Sequence, residues 1–106
     1  MTNIKEIGVE EYKKVAKSDS LAVVWLYANW CGPCKHFHPT FEAVAEEFVG
    51  EVEFLKYNVD QGPVGGNIQG IPTVRFFQKG EIIKELVGAQ DKNFFRSVVE
   101  NYKTQK

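Results

Sequence analysis

The chain contains only two cysteines, Cys31 and Cys34, and both lie in the stretch "NWCGPCKHFHP". A structural disulfide elsewhere in the chain is therefore excluded. A bridge between these two would close so short a loop that it would constrain little of the unfolded chain. The pair is a candidate metal site, a candidate nucleophile with a base, or a candidate redox couple.

Charge bias and long apolar segments are also lacking. The sequence has 13 basic and 14 acidic residues, so neither nucleic acid nor an anionic membrane is favoured as a partner. No segment approaches membrane-spanning length, and the start "MTNIKEIGVEEYKK" lacks the apolar run of a signal peptide. We therefore expect a cytoplasmic chain, in a reducing compartment where a C-x-x-C pair is more often catalytic or metal-binding than structural.

The length of 106 residues predicts one domain over residues 1–106, without repeats or linkers. The uncharged run "LAVVWLY" (21–27) predicts a central strand, and "VEFLKYNV" (52–59) predicts a second. Apolar residues at helical spacing between them predict a crossover helix that starts within the cysteine pair, contains Pro39 and makes the two strands parallel.

The rest of the chain predicts simpler elements. A short amphipathic helix is expected over residues 9–17, and the glycine-rich residues 60–70 are expected to form a loop. The runs "TVRFFQ" and "EIIKELVG" flank Lys79 and Gly80, which predicts an antiparallel hairpin. A closing helix is expected to begin near Asp91, which is a suitable N-cap residue.

The position of Cys31 favours redox chemistry. It lies where a strand's carboxyl end meets a helix N-terminus, and such a helix end stabilises a thiolate and lowers its pKa. Cys34 lies one helical turn further on, close to bridging range, so the dithiol and the disulfide are both accessible on one backbone. We therefore expect Cys31 to be the exposed nucleophile and Cys34 to lie deeper in the helix.

The rival interpretations of the pair are weaker. For a metal site, His36 would point about 160° away from Cys34 on the helix, and the chain has no second ligand pair. For a cysteine hydrolase or transferase, no histidine lies across a cleft from Cys31, and Cys34 would capture an acyl-enzyme. Two buried thiols without a role are also disfavoured, because chance rarely places a chain's only cysteines around Gly-Pro after Trp.

The motif "WCGPC" after a buried strand, "GIPT" about forty residues later and "VG" ending the next strand resemble the thioredoxin family. The resemblance covers nearly the whole chain in order. It implies an α/β thioredoxin fold with a central five-stranded mixed sheet and helices on both faces. It also implies a thiol–disulfide oxidoreductase for protein substrates, without a cofactor or metal, that an NADPH-dependent flavoprotein, thioredoxin reductase, keeps reduced.

The same resemblance implies roles for individual residues. Cys31 would attack the substrate disulfide and Cys34 would resolve the mixed disulfide. Pro72 would be a cis-proline that exposes the backbone of Ile71 for pairing with the substrate. A flat apolar surface would receive the substrate, and its implied members are Trp30, Gly32, Pro33, Val59, Gly70, Ile71, Pro72, Val87, Gly88 and Ala89.

Two departures from the family pattern stand out. Trp25 replaces a buried aspartate that normally helps to deprotonate the resolving cysteine, and the lysine that normally faces this acid is retained as Lys56, which we expect to turn to water. The segment 63–69 is about three residues shorter than usual, so the third helix is expected to be shortened or missing.

The missing acid raises the question of which group accepts the proton of Cys34. His38 lies one helical turn beyond Cys34 on the same face, and its ordinary pKa suits a general base. Lys56 is another candidate, whereas His36 should face elsewhere. The alternatives are a merely solvated His38 with proton loss through water and, for the whole chain, a non-enzymatic docking subunit.

Overall fold

The computed structural model describes residues 4–62 and 68–103. The described ranges contain five strands and three α-helices. The strands are β1 (Ile4–Glu6), β2 (Ala22–Tyr27), β3 (Glu53–Asn58), β4 (Thr73–Gln78) and β5 (Glu81–Val87). The helices are α1 (Val9–Val15), α2 (Gly32–Glu47) and α3 (Lys92–Lys103), and a single 3₁₀ turn (Val59–Gln61) follows β3.

The strands form one mixed sheet in the order β1-β3-β2-β4-β5. Strand β3 pairs in parallel with both β1 and β2, whereas β4 pairs antiparallel with β2 and with β5. The predicted parallel crossover through α2 and the predicted hairpin are therefore both confirmed. Lys79 and Gly80 both have positive φ, 54° and 77°, as in the tight turns whose twist matches that of paired strands.

Alternate side chains of β2 enter two separate cores. Val23 and Trp25 pack with α2 and α3 on one face of the sheet, and Val24 and Leu26 pack with α1 on the other. The sheet therefore has helices on both faces. Because β2 is buried on both sides, it needs the continuous apolar run that marks it in the sequence.

The helix starts follow from local hydrogen bonds. Glu11 accepts the backbone N–H of Gly8 at 3.1 Å and so closes the first turn of α1. The carboxylate of Asp91 accepts the backbone N–H groups of Asn93 and Phe94 at 3.1 and 3.2 Å, which confirms Asp91 as the N-cap of α3. Helix α2 continues through Pro39.

Two elements differ from what the residues themselves predicted. Strand β1 was implied only by the family resemblance, because its three residues carry no period and pairing with Phe54 to Lys56 of β3 defines it. The 3₁₀ turn occupies the start of the expected loop. The prediction of a shortened or missing third helix concerns residues 63–69, of which 63–67 lie outside the described residues. None of the helices in the described ranges is both long and apolar enough to cross a membrane.

Candidate active site

The candidate site lies at one edge of the sheet. Strands β2, β3 and β5 end there, and the antiparallel β4 begins there. The segment after β2 carries the cysteines, the segment before β4 carries Ile71 and Pro72, and Gly88 follows β5. The topology therefore brings together three motifs that are far apart in the sequence.

Cys31, just before α2, and Cys34, in the first turn of α2, form a disulfide. Cys31 is the N-cap of α2, and its Sγ accepts the backbone N–H of Cys34 at 3.1 Å. The Cα atoms of the two residues are 5.3 Å apart. Pro33 lies in the first helical turn, where its missing N–H costs no helical hydrogen bond. The backbone thus presents the sulfur of Cys31 to the N-terminal end of a helix.

The two cysteines do not differ in burial. We expected Cys31 to be exposed, and this was wrong for the disulfide-bonded protein, in which Cys31 is 4% and Cys34 is 3% exposed. Both cysteines belong to one buried core cluster, against which Val59 and Ile71 of other segments also pack. What separates them is their position relative to the helix end.

Exposed residues of the predicted substrate surface flank the cysteines. Trp30 is 69% and Val87 is 46% exposed, and Gly32, Pro33 and Ala89 are also exposed. Trp30, Gly32 and Pro33 are chain neighbours of the cysteines. Val49 and Phe94 are exposed as well, so exposure alone does not mark this surface, and Trp30 is distinguished by its position next to Cys31.

The remaining members of this surface come from the loops around β4 and β5. The Ile71–Pro72 peptide bond is cis, as expected from the "GIPT" context. The backbone N–H of Gly88 donates to the Pro72 carbonyl oxygen at 2.7 Å, which joins the two loops. A β-carbon placed on Gly70 would lie 3.9 Å from Val87 Cγ1. Pro72 itself is buried, so it supports this surface from beneath.

Asp60 is a site residue that the sequence reasoning missed. Its carboxylate accepts the indole N–H of Trp30 at 3.0 Å, and its backbone N–H donates to the side chain of Asn58 at 2.9 Å. A signal was present in the sequence. Asp60 follows a strand parallel to β2, so it reaches the same edge of the sheet as Trp30.

A cleft of about 260 Å³ lies behind Cys34. Its lining residues are Trp25, Tyr27, Ala28, Asn29, Cys34, Lys35, His38 and Lys56. None of these carries a carboxylate. His38 and Lys56 line this cleft together with Cys34, whereas His36 is exposed and does not line it.

Trp25 forms one wall of this cleft and organises His38. The two rings stack with centroids 5.6 Å apart and an interplanar angle of 25°. His38 Nε2 lies 3.7 Å from a carboxylate oxygen of Glu42 on the next turn of α2. An indole cannot accept a proton as an aspartate would, and here it packs against the ring of His38.

Lys56 lies against an aromatic ring and does not simply extend into water. Its Nζ is 5.4 Å from the ring centroid of Tyr27, a cation–π contact that corrects our expectation. The hydroxyl of Tyr27 donates to the carboxylate of Glu6. Burial, and then this hydrogen bond, raise the pKa of Tyr27. Trp25, Lys56 and Glu6 occupy one row across β2, β3 and β1.

Comparison with known proteins gives the family. A thioredoxin family model matches residues 3–101. The chain is 40% identical over 81 residues to a thioredoxin of Streptomyces clavuligerus, which covers 74% of this chain and 75% of that protein. This chain belongs to the thioredoxin family. A thioredoxin of Rickettsia conorii is 38% identical over 84 residues, which are 76% of this chain and 80% of the relative.

A solved thioredoxin structure has the same architecture. The thioredoxin of Malassezia sympodialis superposes with a TM-score of 0.85 at 30% identity, and the match covers 98% of this chain and 94% of that one. The family and the Cys31–Cys34 disulfide together make this protein a thiol–disulfide oxidoreductase with protein-disulfide reductase activity. A purely structural docking role is not favoured.

Over residues 4–62 and 68–103, no three side chains of histidine, cysteine, aspartate or glutamate are grouped so that they could hold a metal ion.

Proposed function

We propose that Cys31 attacks the disulfide of a protein substrate and that Cys34 resolves the intermediate. In the first step the Cys31 thiolate forms a mixed disulfide and one substrate thiolate leaves. In the second step Cys34 loses its proton and attacks Cys31 Sγ, which releases the second substrate thiolate. The substrate gains two electrons and two protons, and the pair becomes the Cys31–Cys34 disulfide.

The observation that carries this assignment is the hydrogen bond from the Cys34 backbone N–H to Cys31 Sγ, 3.1 Å long. In the reduced protein the same N–H and the helix N-terminus face the Cys31 sulfur, and both favour its thiolate. Cys34 lies inside the first turn of α2, and no backbone N–H of the described residues donates to its sulfur. The thiolate should therefore form first on Cys31.

Alkylation of the reduced protein tests the order of reactivity. We expect iodoacetamide at pH 7 to label Cys31 at least about ten times faster than Cys34, because one pKa unit changes the thiolate fraction tenfold. Mass spectrometry of peptides after short labelling times gives the two rates, and Cys31→Ser supplies the rate of Cys34 alone. Equal labelling of both cysteines would reverse or remove the assignment.

We propose that the ten residues of the predicted surface receive an extended segment of the substrate. Exposed Trp30 and Val87 supply apolar contact, and the backbone of Ile71 offers strand-like pairing beside the disulfide. A surface that binds mainly through backbone and apolar contacts accepts many sequences, which suits a general reductase. The tethered loops at Pro72 and Gly88 support this proposal.

We propose that an NADPH-dependent flavoprotein, thioredoxin reductase, reduces the Cys31–Cys34 disulfide after each turnover. We also propose that residues 1–106 act as a single domain. A reducing compartment such as the cytoplasm would supply this donor. NADPH consumption in a mixture of a bacterial thioredoxin reductase, this protein and insulin tests the donor, and Cys31→Ser should abolish it.

We propose His38 as the acceptor of the Cys34 proton. His38 and Cys34 line one cleft, whereas His36 on the same helix does not line it. The rates of disulfide reduction by His38→Ala, His36→Ala and the wild type between about pH 5.5 and 8 test this role, since an imidazole changes charge in that range. We expect only His38→Ala to be slower and to lose the pH dependence. A His38→Ala protein with an unchanged rate and pH profile would contradict this role, and a deficit shared equally by His36→Ala would reduce it to a general electrostatic effect.

A further inference from the structure

The hydroxyl of Tyr57 is a buried polar group that the proposed exchange steps do not use. Tyr57 is fully buried in the core between the sheet and α1, where its ring packs against that of Tyr12 with centroids 5.1 Å apart. Its hydroxyl donates to the backbone carbonyl oxygen of Gly62 at 2.9 Å. Burial raises the pKa of Tyr57, so the hydroxyl keeps its proton and remains a donor at neutral pH.

Gly62 has a backbone that suits this contact. It follows the 3₁₀ turn (Val59–Gln61) with a φ of 153°, in a region that residues other than glycine rarely adopt. A β-carbon on Gly62 would lie 3.2 Å from Val9 Cγ2 of α1 and 3.6 Å from the hydroxyl oxygen of Tyr57. The glycine therefore lets the backbone after the turn come close to α1 and to Tyr57.

The turn after β3 is held at both ends. At its start the backbone N–H of Asp60 donates to the side chain of Asn58 at 2.9 Å, and at its end Tyr57 holds the carbonyl group of Gly62. The exposed carboxylate of Asp60 lies between these two points and accepts the indole N–H of Trp30 at 3.0 Å. Two fixed points restrict the backbone more than one does, so the carboxylate has a defined position.

We propose that Tyr57 is a positioning residue for substrate binding, which acts through the turn after β3 and through Asp60 on the ring of Trp30. Without the Tyr57 hydroxyl, the carboxylate of Asp60 would sample more positions, and the indole of Trp30 would be less well oriented beside Cys31. These contacts include neither sulfur, so the loss falls on substrate binding and not on the exchange steps. The inference rests on the proposed substrate surface, of which Trp30 is a member.

The variant Tyr57→Phe removes the hydroxyl and keeps the buried ring. We expect the KM for insulin to rise about threefold with kcat unchanged, as for the loss of one hydrogen bond that serves binding. The rate with a small aromatic disulfide, which has no extended segment to bind, should equal that of the wild type. An equal loss with both substrates would overturn the proposal, because it would place the effect on the cysteines themselves.

The matched control is Tyr12→Phe, the same substitution in the same core. The hydroxyl of Tyr12 accepts from Arg75 at 3.1 Å, so its removal weakens this core at a different hydrogen bond. We expect Tyr12→Phe to be less stable than the wild type but to keep its KM for insulin. A rise in KM shared equally by Tyr12→Phe and Tyr57→Phe would overturn the proposal, because general loosening of the core would explain both.

The NMR order parameter of the Trp30 indole N–H measures the positioning directly. We expect it to fall by about 0.2 in Tyr57→Phe and in Asp60→Ala, part of the way from a rigid to a flexible group, and to stay unchanged in Tyr12→Phe. The double variant Tyr57→Phe/Asp60→Ala should have the KM of Asp60→Ala alone, because Tyr57 acts through Asp60. Multiplication of the two single effects would overturn this route.

Gly62→Ala tests the same contact from the other side and applies if Tyr57→Phe folds poorly. The added β-carbon would crowd Val9 and strain the backbone, so the carbonyl group should turn away from Tyr57. We expect the same loss of Trp30 order and the same rise in KM, and wild-type order in both variants would overturn the proposal. A loss of order with unchanged KM, in Asp60→Ala as well, would support the positioning of Trp30 and contradict its place in the proposed substrate surface.

Discussion

The indole of Trp30 is tied to the carboxylate of Asp60 by a 3.0 Å hydrogen bond across the edge of the sheet. Trp30 is 69% exposed, so packing alone does not fix its ring. Asp60 is itself fixed, because its backbone N–H donates to Asn58 at the end of β3. The orientation of the largest apolar side chain on the proposed substrate surface is thus set from a different strand.

Asp60→Ala should lower kcat/KM for insulin reduction about fivefold, which corresponds to one hydrogen bond of about 1 kcal/mol. The free energy of unfolding should change by less than about 0.5 kcal/mol, since both side chains are exposed. Asp19→Ala is the control, because this exposed acid precedes β2 at the opposite end of the sheet. Equal rates for the wild type and Asp60→Ala would show that the tether has no part in substrate binding.

Pro33 should keep the redox couple at the reducing end of its range. The Cys31 thiolate is stabilised by the helix end, and the residues between the cysteines carry no charge. In Pro33→His, a histidine beside the pair should stabilise the Cys31 thiolate and lower the pKa of that thiol. A decrease of one pKa unit is about 1.4 kcal/mol, which corresponds to a rise in the reduction potential of about 30 mV. Equilibration with glutathione gives both potentials. A wild-type value as oxidising as that of protein disulfide isomerase, about −180 mV, would contradict this account.

Arg75 and Glu85 form an ion pair at the centre of the β4–β5 pairing, with Arg75 Nε 2.6 Å from Glu85 Oε2. The Arg75 side chain is 2% exposed and also donates to the hydroxyl of Tyr12 at 3.1 Å. Glu85→Gln should lower the free energy of unfolding by about 2 kcal/mol. This lies between the values for exposed and fully buried pairs, since Glu85 is 30% exposed.

Urea unfolding at pH 7 measures this change, and Glu81→Gln, at an exposed position on the same strand, is the control. The two variants have the same change of charge. If both lose the same stability, net charge and not the buried pair accounts for the effect.

Tyr27 should make the free energy of unfolding fall at alkaline pH. Burial and the hydrogen bond to Glu6 raise its pKa in the folded protein. Above about pH 10 the unfolded phenol ionises first, so the free energy of unfolding falls as the pH rises from there toward the raised pKa. Tyr27→Phe should therefore lose less stability than the wild type between pH 9 and 11. Unfolding curves at both pH values, with Tyr102→Phe as control, check the difference, and parallel losses would contradict it.

Local signals explain which parts of the fold could be predicted. Strand β2 is buried on both faces, so its sequence is apolar throughout, and the turn at Lys79 and Gly80 is encoded by adjacent residues. The cysteine pair and the start of α2 are likewise determined within a few residues. Strand β1 has no such signal, because its pairing with Phe54 to Lys56 is what makes it a strand.

Those parts of the site formed by residues close together in the sequence could be predicted. The contacts between residues of different strands and loops could not be read from the sequence in the same way. Ile71 and Val59, which come from two other segments, pack against the core cluster that contains Cys31. The hydrogen bond of Asp60 to Trp30 and the contact of Lys56 with Tyr27 depend on the register of β3 beside β2. No local sequence pattern predicts these contacts. The parallel order of β2 and β3 alone, however, would have placed Asp60 at the same edge of the sheet as Trp30.

The central claim is that Cys31 takes the substrate and Cys34 releases it, and trapping of the mixed disulfide tests this most directly. Reduced Cys34→Ser incubated with disulfide-bonded insulin should form a covalent adduct. Dithiothreitol should cleave this adduct, and mass spectrometry should assign it to Cys31. Cys31→Ser should form about tenfold less adduct in the same time, in proportion to its lower thiolate fraction. Adduct formation on Cys34 at an equal rate, or none on Cys34→Ser, would contradict the account.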